Sequence, residues 1–317
     1  MINFKIKTLA ASICLIAGNV AYAGNIDLFT TDQAEIVSTI AGGSLNSDFS
    51  VTPNLTAAAA AMSTVDTAGT DIVGGERDLY VQAVENHGSA SGESTMKVEG
   101  STLTFNNDAN IAGIGQVQWD GNDNNASFGT TSSLGGIDTN GLGGIDLTDG
   151  GNVNAFQLVT LFADAAWQFG LTIFEHDLTD GDMTDNAWVR IVFDVTEVGT
   201  DTITSFPSPH ISPISFAGFA LGTAPCGAPS AFIPSLPAGV ASVECSAGAL
   251  PGSFGANGID LENVGAIVAD FNTGDAKALA VDLTLAQVTT VPEPSSLALI
   301  GLGLLTAGFK SRRKKSA

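Results

Sequence analysis

Apolar and polar residues alternate with period two along several separate stretches of the chain: Leu79–Val84, Thr95–Glu99, Ser101–Phe105, Trp167–Phe174, Trp188–Val195 and Ala278–Leu285. Successive side chains of a strand point to opposite faces, so each stretch predicts a strand with one face buried. Between them the chain is broken by Gly, Asn and Asp, at 121–125, at Gly135-Gly136, at Asp149-Gly150-Gly151 and at Asp180-Gly181. These residue types supply the backbone geometries of tight turns. Many short strands with frequent turns predict an all-β fold, an antiparallel β-sandwich that is jelly-roll-like. One helix fits Asp32–Ile40, and the alanine-rich Leu55–Met62 reads as a helix or a loose connector. The proline-rich Phe206–Pro213 is the best candidate boundary, yet strand-like sequence resumes at Ser215. The expectation is therefore one body over 24–290, with Cys226–Gly248 as an irregular excursion.

Composition agrees with a folded, turn-rich body: 44% of the 317 residues are hydrophobic, 37 are glycine and only 14% are charged. Charge changes the picture more. Of the 11 basic residues, Lys5, Lys7, Lys310, Arg312, Arg313, Lys314 and Lys315 lie at the termini. Arg77, Lys97, Arg190 and Lys277 are left to face nearly all of the 33 acids. Such a body repels phosphate backbones and anionic lipid, which excludes nucleic acid as a partner, and it attracts cations.

Both ends read as processing signals. Lys5 and Lys7 precede an apolar run from Leu9 to Ala17, and Ala21-Tyr22-Ala23 closes it. A basic head, a short apolar middle and a small-x-small end predict a secretory signal peptide over 1–23, cut after Ala23; the alternative is a buried first helix. Ile13 before Cys14 does not suit lipid attachment. At the other end, Pro292-Glu293-Pro294 stops the preceding strand, an apolar run follows from Ser296 to Phe309, and Lys310–Lys315 supplies a basic cluster. About fourteen helical residues reach roughly 21 Å, short of the ~30 Å hydrocarbon core, so this is a marginal transmembrane anchor with its basic end cytoplasmic.

The order of these parts, Val291-Pro292-Glu293-Pro294-Ser295-Ser296, apolar helix, then Arg312, Arg313, Lys314 and Lys315, resembles the PEP-CTERM sorting signal of Gram-negative bacteria that make exopolysaccharide. The resemblance implies recognition and cleavage by an inner-membrane exosortase, so that a membrane-anchored precursor becomes a surface or extracellular protein. An ordinary tail anchor is the alternative. More loosely, Ile72–Leu79, Val117–Asn122, Gly141–Leu147 and Glu262–Ile267 resemble segments of the β-sandwich ectodomains attached to such tails. That likeness implies no catalytic residue.

Reactive chemistry is sparse. His87, His176 and His210 have no metal-ligand spacing, and neither a Gly-x-Ser-x-Gly elbow nor a phosphate loop occurs. Cys226 and Cys245 are the only cysteines beyond the signal, and export to an oxidising compartment predicts a disulfide between them; two free thiols are the alternative. Two acidic loops suggest calcium, one through Asp120, Asn122 and Asn124 and the other through Asp177, Asp180 and Asp182, with solvated turns as the bland reading. Among Trp119, Trp167 and Trp188, Trp119 beside the first loop is the candidate carbohydrate platform, although tryptophans in strands are commonly core. The function expected is a non-catalytic, exosortase-sorted surface or matrix protein associated with exopolysaccharide or biofilm. An adhesin acting through protein contacts and a secreted hydrolase are the alternatives.

Overall fold

The alternating stretches do form strands, and others join them that alternation does not mark. The structure, a computed structural model, describes residues 24–41, 61–66, 71–123, 125, 127–165, 167–177, 187–195, 210–216, 240–246, 259–273 and 278–292. The expected signal peptide and the apolar sorting helix lie outside these residues. Among the described residues fourteen strands make two seven-stranded antiparallel sheets. The first sheet has the order β11 (His210–Ser215), β8 (Ala155–Ala163), β14 (Asp282–Val291), β6 (Thr102–Asn107), β5 (Ser91–Glu99) and β2 (Gln33–Ala41). Its seventh strand, β1 (Asn25–Asp27), pairs with β14, where the Thr290 amide donates to the Gly24 carbonyl at 2.8 Å. The second sheet has the order β12 (Val240–Cys245), β10 (Trp188–Val195), β9 (Trp167–Glu175), β13 (Val264–Phe271), β7 (Ile111–Trp119), β4 (Glu76–Asn86) and β3 (Ala61–Asp66).

The sheets pack face to face, with Met96, Phe105 and Leu283 of the first against Val117, Leu171 and Phe271 of the second in one buried core. This is an all-β sandwich, with more strands than the eight of a jelly roll. Asp32–Ile40 is a strand rather than the expected helix. Ile36 and Ile40 suit both periods, but Ile36, Val37, Thr39 and Ile40 are β-branched and pack better in the pleated ladder with β5. Within Phe206–Pro213, β11 begins at His210, and Pro213 sits opposite Gln157 on an edge strand, where a missing N–H is tolerated. The excursion Cys226–Gly248 contributes β12, which pairs with β10. Ala278–Leu285 starts as a turn, with Ala280 at φ 51°, and becomes a strand only from Asp282.

The outer faces of the two sheets differ. On β5 and β6 buried residues alternate with more exposed ones, as expected for a wetted face. By contrast β13 is buried at every position and β7 at all but Ile114. The cause is the segment after β7, residues 120–152, which folds back across the second sheet. Leu142, Ile145 and Leu147 donate backbone hydrogen bonds to Gly265, Val264 and Leu261, and Gln116 and Gln118 donate from β7 to the carbonyls of Gly129 and Ser127. Ile137 closes a small second core with Phe174, Ala266 and Val268. Beneath this cover lies the candidate site.

Candidate metal centre

Strand β4 opens with Glu76-Arg77-Asp78, and the period of two sends Arg77 to one face and both acids to the other. Inside the sandwich the Arg77 guanidinium meets Asp27 at 2.8 Å, with both side chains fully buried. It also donates to Gln33 at 2.9 Å and to the Thr31 carbonyl at 2.7 Å, and it lies 5.6 Å over the Phe29 ring. Asp27 accepts further from the Trp119 indole at 2.9 Å and from the Phe29 amide at 2.8 Å. Every strong donor and acceptor here has a partner, which is the condition for keeping a charged pair in a core.

On the outer face carboxylates gather together instead. Glu76 and Asp78 are 1% and 2% exposed, and Asp123 comes down from the covering segment so that one carboxylate oxygen of each lies within 4.8 Å of the others. Asp120, 1% exposed at the end of β7, lies close enough to feel the charges of Asp78 and Asp123 and accepts a hydrogen bond from the Asp138 amide at 3.0 Å. The wall is made of touching backbone. Gly121 has φ 92°, and a side chain there would run into Gly141, while one on Gly141 would run into the Asp120 carbonyl.

These acids hold their protons unusually well. Burial, then the charges of Glu76 and Asp123, pushes Asp78 up to about 7. Burial likewise pushes Asp120 up to about 8; the Asp138 amide opposes this, and Asp78, Asp123 and Asp138 add to it. Asp123 is raised as well, first by burial and then by Asp138, against a hydrogen bond from the Asn125 amide. The chemistry this set offers is a hard, all-oxygen donor group for a cation.

The residues singled out in the sequence are only partly brought together. Asp120 lies beside the cluster, Asn122 is exposed, and Asn124, the third member of the expected alternate set, lies outside the described residues. Asp177 donates its amide to Asn140, while Asp180 and Asp182 lie outside the described residues. Trp119 is no platform: at 1% exposure with its indole bound to Asp27, it is core, and Trp167 is buried too. Cys245 is disulfide-bonded, and its expected partner Cys226 lies outside the described residues. Glu76, Asp78 and Asp123 were not anticipated as ligands. The available signal was the acid-Arg-acid triplet at a strand start, which places two carboxylates on one face.

A second feature lies on the first sheet. An open, polar cleft of about 480 Å³ is lined by Glu93, Asn106, Asp108 and Asp282 with Phe162, and Phe162 is 39% exposed, unusual for an aromatic side chain here.

Pro292 follows directly on β14, and residues 290–314 match the PEP-CTERM protein-sorting motif. That motif marks an exported protein processed by an exosortase, so the fold and the motif together define an exported protein with an all-β sandwich body. Glu293, Pro294, Arg312, Arg313, Lys314 and Lys315 belong to the matched end and to the residues just beyond it, and with Ala21 and Ala23 they lie outside the described residues. The match reaches only the last two residues of β14 and otherwise leaves the body uncovered. No curated protein and no solved structure matches the chain. Among the described residues no helix is long and apolar enough to cross a membrane.

Proposed function

We propose that the mature body is a non-catalytic component of the cell surface or extracellular matrix that associates with exopolysaccharide. The observation that carries this reading is the sorting motif over residues 290–314, which sends the body out of the cell. The cleft beside Phe162 supports it. Glu93, Asp108 and Asp282 present acceptors for sugar hydroxyls, and an exposed aromatic face offers apolar contact to a pyranose ring. The absence of nucleophile and metal-hydrolase motifs from the sequence favours binding over turnover.

The test is co-sedimentation of the purified protein with exopolysaccharide from its own host, beside the same assay with Phe162→Ala. The expected result is retention of the protein with the polymer and a loss of roughly tenfold in affinity for the variant, about 1.4 kcal/mol. Failure of the unaltered protein to sediment with the polymer would overturn the reading. Deleting the gene is expected to weaken matrix cohesion without impairing growth on any carbon source.

A further inference from the structure

We infer that Glu76, Asp78 and Asp123, with Asp120 alongside, form a site for a divalent cation, calcium by its chemistry. Clusters of acids are common on exposed surfaces without any ion, so the cluster alone does not decide the matter. Asp78 does. It is 2% exposed, neither of its carboxylate oxygens meets a hydrogen-bond donor among the described residues, and its carboxylate is aimed at those of Glu76 and Asp123. An ionised carboxylate held in that way without donors is strongly disfavoured. None of Asp78, Asp120 and Asp123 is in an ion pair among the described residues, and the neighbouring Arg77 is turned to the opposite face and held by Asp27.

The spacing and donor type select the ion. Ligands about 2.3–2.6 Å from calcium stand at most roughly 5 Å apart across it. The three carboxylate oxygens lie within 4.8 Å of one another. All the donors are hard oxygens, which suit magnesium, calcium or manganese rather than zinc or copper. The ligands come from a strand and from an irregular covering segment, a set that flexible calcium coordination accepts more readily than octahedral magnesium. Bound there, the ion would pin the segment 120–143 to β4 and so hold the lid over β7 and β13.

The test uses the purified full chain, titrated with calcium chloride by calorimetry and melted in calcium, magnesium and chelator at matched ionic strength. One calcium per chain is expected. The melting temperature should rise by about 5–10 °C at roughly a hundredfold excess over the dissociation constant, with magnesium giving less. Asp78→Asn should weaken calcium binding at least roughly tenfold while raising the melting temperature in chelator, because it removes the buried charge. A variant that merely damaged the fold would lower both. Asp123→Asn, at a less buried position, should also lose the calcium response and serves if the first variant does not fold. Identical melting curves in calcium and chelator, or unchanged calcium binding by both variants, would overturn the site.

Discussion

Arg77 and Asp78 are adjacent in sequence, both ionisable and both buried, and separated only by the pleat of one strand. Arg77 reaches into the sandwich and finds Asp27, Gln33 and the Thr31 carbonyl; Asp78 reaches out under the lid and finds Glu76 and Asp123. The first cluster is complete as the protein folds. The second gathers like charges and is completed only by a proton or a cation. Burial by itself therefore says little about a charged residue's role. The composition of its partners separates a core strut from a ligand site.

Breaking the inner cluster should have the largest effect. Arg77→Leu leaves Asp27 buried without its counter-charge, and a loss of about 3–5 kcal/mol in denaturant melts is expected. A loss below about 1 kcal/mol would mean that Trp119 and the Phe29 amide suffice for Asp27, and the contrast between the two faces would fail. The outer cluster should respond with the opposite sign: in chelator near pH 8, Asp78→Asn is expected to stabilise by about 2 kcal/mol. Destabilisation of similar size would show that the carboxylate has a protein partner after all.

A smaller effect sharpens the edge of the inner cluster. Asp71 accepts hydrogen bonds from the Thr30 hydroxyl at 2.7 Å and from the Thr31 amide at 3.0 Å, and it thereby fixes the Thr31 carbonyl that Arg77 uses. Burial works against the Asp71 anion, but these hydrogen bonds outweigh it and its pKa is lowered. A lowered carboxyl pKa contributes stability above the unfolded value near 4, and that contribution disappears as pH falls through the native value. Asp71→Ala should therefore cost about 1 kcal/mol at neutral pH, and the gap from the unaltered protein should narrow below about pH 4. A gap that stays constant to pH 2 would assign the loss to packing instead.

How far the molecule was legible in its sequence follows from which faces are wet. Strands β5 and β6 keep one face toward solvent, so Thr95–Glu99 and Ser101–Phe105 alternate and were readable. Strands β7 and β13 are covered on both sides: β13 reads as a mainly apolar run, and in β7 Gln116 and Gln118 alternate with Val117 and Trp119 yet are buried beneath a lid that no local pattern announces. At β2 the spacing of Ile36 and Ile40 fitted helix and strand equally, and only pairing with β5 decides between them. Asp120 was found because Gly, Asn and Asp mark its loop. Its partners Glu76 and Asp78 stand more than forty residues earlier, and only the adjacency of β4 and β7 brings them near. Trp119 looked like a surface residue because it precedes a polar loop, whereas the direction of its side chain is set by strand register with β13 and β4.

The pairing of β1 with β14 joins residues 266 positions apart, Gly24 and Thr290. No shorter part of the chain can close the first sheet around β14, which sits between β8 and β6 and also receives β1. Loop closure over such a span is slow, and the central strand of this sheet is the last to be synthesised. For a chain that leaves the cell amino-end first, the sandwich can finish assembling only when the strand directly preceding the sorting motif has crossed. Maturation of the body and exposure of the cleavage signal then fall at nearly the same moment. Pulse-labelled protein should accordingly pass from protease-sensitive to protease-resistant only after residues 282–291 have been exported.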